Sequence, residues 1–374
     1  MAKGFIANGV DLKLLCINTA KHFKPDDQVP SDFKSNCKYQ SVFKNTNTSF
    51  FGALSNLFST DSYFVSRFYF PEFDKQLKKD LTSNQYEIVQ LEGLFMAVYL
   101  PVIRKYSKAK VILRAHNVEY LIWDRHIRNE KNILKKFYLS IQNKRLKKFE
   151  ISTCNQVDGI VSITDVDKNI FSQLAPKSKG FTCITGVDLK EYQMKENEVN
   201  TKMFIFSSMD WMPNIEAVDW FLKNCFPKIT KAVPDCRLVI AGRNMPSHIR
   251  QLKDKNIEIM EDVKSSSSFY QNHQLMLVPL LSGSGLRIKI IEGMAYGKAI
   301  VSTSVGAEGI KAVNGKHFVL EDETNKFSDA VIYLLQNKEE LNKLSLNARK
   351  FAEENFENKK VVQGLLNFYP ELNA

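Results

Sequence analysis

The sequence predicts an α/β chain of two doubly wound domains in tandem. Three observations carry that prediction. The chain has 374 residues, and a single hydrophobic core usually stops growing at ~250–300. Both halves alternate short runs of β-branched and aliphatic residues with helical segments, the rhythm of parallel sheets crossed by helices. A polar stretch, EYQMKENEVNTK, separates the halves at 191–202. We therefore expect an N-terminal domain over 1–190, a linker over 191–202, a second domain over 203–356, and a closing helix over 357–374 that packs back on the first domain. Two such domains usually take their ligand in the cleft between them, at the carboxyl ends of the strands.

In the first half the strands fall at 11–17, 86–91, 110–115, 159–163 and 181–184. Helices are expected over 117–150 and 166–174. In the second half strands fit at 203–207, 237–241, 257–260, 275–278, 299–302 and 317–320. Helices fit at 213–231, 246–253, 266–271, 286–296, 325–336, 338–353 and 358–368. Pro213 suits a first helical turn, where its missing N–H costs nothing.

Composition narrows the class. Apolar residues make up 44% and charged residues 25%, as in ordinary globular proteins. No run approaches the ~18 apolar residues that span a bilayer, and the N-terminus has no signal-peptide core. Cys16, Cys37, Cys154, Cys183, Cys225 and Cys236 form no C-x-x-C pair. Zinc and dithiol chemistry are therefore poor readings, and reduced thiols in a cytoplasmic protein are expected. The net charge of +11 favours an anionic partner. The basic residues are not interleaved with a nucleic-acid-binding motif, so no nucleic-acid partner is expected.

The most informative stretch is GSGLRIKIIEGMAYGKAIVST, 283–303. It follows a strand and opens a helix. Gly283, Ser284, Gly285 and Leu286 form a turn where backbone can approach a ligand closely. The first N–H groups of the helix have no internal partner and suit a diphosphate. Arg287 can grip phosphate through two N–H bonds and Lys289 adds a point charge. Glu292 shares a helix face with Lys289 and can accept bonds from a ribose diol. From spacing alone, a glycine turn before an ordinary helix with solvated charges is an equal alternative.

This stretch resembles the donor-binding segment of the family 4 (group 1) glycosyltransferases, in the subgroup with G-x-G-x-R-x-K-x-x-E-x-M-A. VILRAHNVEYLIWDR (111–125), TGVDLKEY (185–192) and FSSMDWMPNIEAVDWF (206–221) resemble the same subgroup in the same order. The resemblance implies the GT-B architecture, two Rossmann-like domains with a deep cleft. It implies transfer of a sugar from a nucleotide-diphosphate donor to an acceptor hydroxyl, with retention at the anomeric carbon. Glu292 would hold the ribose, and Arg287 and Lys289 the leaving diphosphate. Many relatives carry E-x7-E, but Ser284 stands where the first Glu would be. His116, at the end of a strand, would face the transferred sugar, with Glu92 and Asn117 on the acceptor side. A capping cluster in which Asn117 starts a helix is the alternative. Ser208 and Asp210 would face the phosphates, Arg243 would reach the cleft, and Val263 would lie near the base. The partners implied are a nucleotide sugar and a glycan or lipid-linked acceptor, with no metal or other cofactor. Asp165-Val166-Asp167 spells a D-x-D metal motif, but Thr164 three residues before Asp167 reads as a helix cap.

Two readings stay open for residues 128–148, which carry eight basic residues and one acid. The segment is either a basic amphipathic helix on the anionic inner face of a membrane or a domain helix with lysines in water. The family also begins with a strand and a glycine-rich loop, whereas this sequence opens in the middle of the helix that normally follows them. A weakly active or poorly stable chain is therefore expected. Its rivals are a non-catalytic nucleotide-sugar-binding remnant and a sugar-nucleotide epimerase of the same fold.

Overall fold

The structure, a computed structural model, describes residues 1–20, 23–46, 52, 55–195, 201–283 and 285–373. Part of the expected linker, 196–200, and Ser284 lie outside the described residues. Two compact units result: Met1–Ile184 with Val361–Ala374, and Thr185–Lys360. Among the described residues, no helix is long and apolar enough to cross a membrane.

Among the described residues, the first unit carries six strands. β1 (Leu15–Thr19) and β2 (Gln40–Lys44) pair in parallel as a sheet of their own. β3 (Ile88–Glu92), β4 (Lys110–Ala115), β5 (Gly159–Ser162) and β6 (Lys179–Thr182) form a second parallel sheet in chain order. Strand β4 shows why this sheet is sandwiched. Val111 and Leu113 belong to one core cluster with Leu91, Leu100 and Ile103. Ile112 belongs to another, with Phe5, Val161, Val362, Leu365 and Phe368. Successive side chains point to opposite faces, so an unbroken apolar run is what a strand covered on both sides requires. Leu15, Ile17 and Val42 pack on the first cluster, so side chains rather than a hydrogen-bonded ladder tie β1 and β2 to the larger sheet.

Two helix expectations need correction here. The segment 117–150 is not one helix but two, Glu119–Asn129 and Ile133–Cys154. The break follows from Asn132, whose side chain accepts the N–H of Lys135 at 3.0 Å and so caps a new helix start. Nor does Asn117 cap the first helix. Val118 occupies the N-cap without a side-chain bond. The carboxylate of Glu150, on the second helix, instead accepts the N–H groups of Glu119 and Tyr120 at 2.9 and 3.0 Å. These are donors that a helix start leaves unpaired. The second helix changes character along its length. Leu139, Leu146 and Glu150 are buried, whereas Ile133, Leu134 and Phe137 are exposed.

Thr164 behaves as its spacing implies. Its hydroxyl oxygen accepts the N–H of Asp167 at 3.1 Å, at the start of the helix Asp165–Leu174. Asp165 accepts from the hydroxyl of Thr182 at 2.6 Å and the Asp167 carboxylate from that of Thr164 at 2.9 Å, so both carboxylates are held locally.

The second unit holds β7 (Lys202–Phe206), β8 (Arg237–Gly242), β9 (Ile257–Glu261), β10 (Leu275–Val278), β11 (Ala299–Ser302) and β12 (Val319–Leu320). They lie parallel in the order β12-β11-β10-β7-β8-β9. Counted from β7, this is the doubly wound order whose direction of winding reverses between the first and fourth strands. Every residue of β10 and β11 is buried. The expected helix 213–231 is two, Met212–Asn224 and Phe226–Ala232. Pro227 falls in the first turn of the second, where it cannot continue a helix begun upstream but readily starts a new one.

Candidate functional site

The winding reversal leaves a crevice at the carboxyl ends of β7 and β10, and the second unit has a cavity of about 670 Å³ at that place. Phe206, Ser207 and Ser208 line it after β7, Gly242 and Arg243 after β8, and Asp262 and Val263 after β9. The helix Ile288–Ala295 supplies its fourth side through Leu286, Arg287, Ile288, Lys289 and Glu292.

The approach of two loops there depends on Gly242. Its φ is +150°, and a Cβ would stand 1.8 Å from the Ser207 carbonyl oxygen, so only glycine fits. Asp262 takes a positive φ of 50°, a conformation that aspartate tolerates better than most residues. It turns the chain as β9 ends.

The three charged residues of the G-x-G-x-R-x-K-x-x-E string come together in this cavity, and none is a solvated surface group. Arg287 is 7% exposed and lies 4.9 Å over the ring of Trp211, an arrangement that attracts a cation to the π face. It holds the N-cap position of a helix whose first turn no side chain caps. Lys289 Nζ donates to Ser207 Oγ at 2.8 Å and to Asn214 Oδ1 at 3.1 Å. Burial, then the charge of Arg287, pushes its ammonium down to about 7. Glu292 accepts from the Tyr192 hydroxyl at 3.4 Å. Burial raises its carboxyl above the ordinary value, with the Tyr192 bond opposing.

Around them, Ser208 donates to Asp210 at 2.7 Å, and Arg243 Nε donates to Ser208 Oγ at 3.0 Å. Asn244 also donates to Asp210. Asp210 thus does not line the cavity itself but holds Ser208 and Arg243, which do. Its carboxyl is lowered by the Ser208 bond first, then by Asn244 and Arg243. Gly285 takes φ +91° with open space where a Cβ would go. Gly283 is tighter. At φ +113° a Cβ would meet the Trp211 ring at 2.5 Å and Arg287 Nη2 at 2.7 Å. We expect Gly283→Ala to displace that stacked pair and weaken nucleoside-diphosphate affinity by about tenfold, ~1.4 kcal/mol. Isothermal titration measures this, and unchanged affinity would remove the Trp211–Arg287 stack from the binding surface.

The first unit holds a separate cluster at the ends of β3 and β4. His116 Nε2 lies 3.1 Å from Glu92 Oε2, and Arg114 Nη1 reaches the same oxygen at 3.1 Å. Burial alone would raise the Glu92 carboxyl, but the His116 bond and the Arg114 charge hold it at about 2. Gln90 donates to Glu92 Oε1 at 2.7 Å and accepts from Tyr369 at 2.7 Å. Asn117 lies exposed beside His116.

Sequence reasoning left out residues that line the cavity or hold its side chains. Tyr270 is fully buried at its wall, and among the described residues its hydroxyl has no hydrogen-bond partner. Asn214 bridges Lys289 and the Ser208 carbonyl. Tyr192 stands a hundred positions from the Glu292 it contacts. No local pattern links such residues, because tertiary folding alone joins them.

The chain is similar in sequence and in fold to known proteins. Residues 201–337 match the family model described as glycosyl transferases group 1. An uncharacterized 44.6 kDa protein in the cps region of Klebsiella pneumoniae is 24% identical over 304 residues, covering 78% of this chain and 76% of that one. HepE of Anabaena, solved with UDP-glucose, matches at a TM-score of 0.61 and 11% identity over 96% of this chain and 100% of that one. TarM of S. aureus matches at 0.57 and 14% identity over 75% of this chain. The match spans only 54% of TarM's own length. With two units of parallel strands, the chain has the GT-B fold of these solved structures, and its cavity-bearing unit is similar to the group 1 glycosyltransferases.

Proposed function

We propose that the chain transfers a sugar from a nucleoside-diphosphate donor to a hydroxyl of a cell-surface or lipid-linked glycan, with retention and without a metal. One observation carries the donor reading. Arg287 and Lys289 converge at an uncapped helix start, with Glu292 on the same helix, in a single cavity. Two cations and the N–H groups of a helix start suit a diphosphate. A carboxylate about a turn further along suits a ribose diol. As the anomeric bond breaks, negative charge grows on the leaving diphosphate. Donors already fixed in place stabilise that charge without reorganising. Metal would be dispensable because the two side chains and the helix start supply the positive charge.

The relative encoded in a cps region and the complexes of HepE with UDP-glucose and of TarM with UDP and α-GlcNAc-glycerol support a nucleotide-sugar donor and a glycan acceptor. In the first unit, His116 and Glu92 offer hydrogen-bonding groups to an acceptor hydroxyl, with Asn117 beside them.

A thermal-shift panel of nucleoside diphosphates and sugar nucleotides, run without metal, tests the donor reading. At ~100 times its dissociation constant a ligand stabilises by about 2.7 kcal/mol. We expect a shift in the parent chain that is absent in Glu292→Ala. An equal shift in both proteins would remove Glu292 from the site, and no shift with any nucleotide would overturn the donor reading.

A further inference from the structure

The helices Glu119–Asn129 and Ile133–Cys154 pack against each other and are joined by the turn at Glu130, Lys131 and Asn132. At the start of the second helix, just past this turn, Ile133, Leu134 and Phe137 are 81%, 82% and 68% exposed. Their spacing places them together on one side of the first turns. From Leu139 onward the same helix is an ordinary core helix. The apolar tip therefore has no part in the packing of its own unit.

The surroundings of the tip are basic. Arg125, Arg128, Lys131, Lys135, Lys136 and Lys144 are all exposed. The one acid in residues 128–148, Glu130, is paired to Lys135 at 2.6 Å. A second copy of the chain would bring the same positive charge against this ring, at a net charge of +11 per chain. An anionic surface with an apolar interior complements both features at once.

We propose that the tip of this helix pair docks on an anionic lipid bilayer. Ile133, Leu134 and Phe137 enter the boundary between headgroups and acyl chains, and the surrounding lysines and arginines meet the lipid phosphates. The proposal is independent of the donor site, since none of these residues lines the cavity. A membrane-borne acceptor would then be met in two dimensions.

Co-sedimentation of the full chain with vesicles tests it. We expect binding to phosphatidylcholine vesicles containing phosphatidylglycerol, none to phosphatidylcholine alone, and release by salt. The triple variant Ile133→Ser, Leu134→Ser, Phe137→Ser should lower the partition coefficient by ~10-fold or more. Lys131→Glu with Lys136→Glu should abolish the preference for anionic lipid. Because these side chains are exposed, both variants should keep the parent's melting temperature and its nucleotide-induced thermal shift. A parent that does not sediment with anionic vesicles would overturn the proposal, as would a triple variant that binds as well as the parent. So would a concentration-dependent dimer that the triple variant abolishes, since the patch would then join two copies.

Discussion

Arg287→Ala is expected to lower kcat/KM by ~10²–10³, the usual effect of removing one fixed donor from a developing oxyanion. The effect should be large because the side chain is already committed. Its guanidinium is buried against Trp211 and does not have to leave bulk water, or find its orientation, as charge grows on the leaving group. Burial pushes its pKa below the ordinary value, but arginine remains charged throughout the working range. Arg287→Lys should recover little. A lysine keeps the charge but loses the planar face that stacks on Trp211 and the paired N–H fork. Steady-state kinetics with the sugar nucleotide selected by the thermal-shift panel checks both variants. If the contact forms mainly in the transition state, kcat falls together with kcat/KM. Parental kcat/KM in Arg287→Ala would remove the residue from the reaction.

Much of the architecture was legible because period and fold agree. β4, β10 and β11 fall where their apolar runs place them, since a strand buried on both faces must be apolar throughout. The helix Ser266–Gln271 is also found where it was expected. The merged helices were misread because periodicity continues across a short break. At Asn132 and Pro227 the capping chemistry, not the apolar pattern, sets the boundary. The helix Pro71–Ser83 had signals that could have found it. Phe73, Leu77 and Leu81 recur every four residues, and proline stands at its first turn. In the cavity, Arg287, Lys289 and Glu292 were legible as a group because one short helix start presents all three. Trp211 under Arg287, Asn214 under Lys289 and Tyr192 on Glu292 were not. Trp211 and Asn214 stand at the start of the helix Met212–Asn224 and Tyr192 precedes β7, and only the winding of the sheet around β7 brings them to the helix Ile288–Ala295.

Lys289 yields the sharpest test, because one proton should move two observables in opposite directions. Burial first, and then the neighbouring Arg287, hold its ammonium at about 7 in the free protein, and its bonds run to the neutral oxygens of Ser207 and Asn214. A diphosphate placed against Nζ favours the charged form and raises its pKa. Below pH 7 the lysine is protonated in both states, and affinity does not depend on it. Above pH 7 the complex holds a proton that the free protein has lost. Affinity for a sugar nucleotide, whose diphosphate does not titrate there, should therefore fall as pH rises, by at most ~10-fold per unit, until the pKa of the complex is passed. Folding runs the other way. The lysine is depressed in the folded chain relative to its unfolded value, so the unfolded state binds more protons between pH 7 and the ordinary lysine range. Lys289 thus contributes stability that rises with pH across that window. Titration calorimetry and thermal melts on the parent and on Lys289→Met separate the two effects. The variant should bind more weakly at pH 7, with a flat affinity profile above it, and should lose the rise in stability. A variant whose affinity still falls with pH as the parent's does would assign the proton to another group and remove Lys289 from the phosphate site.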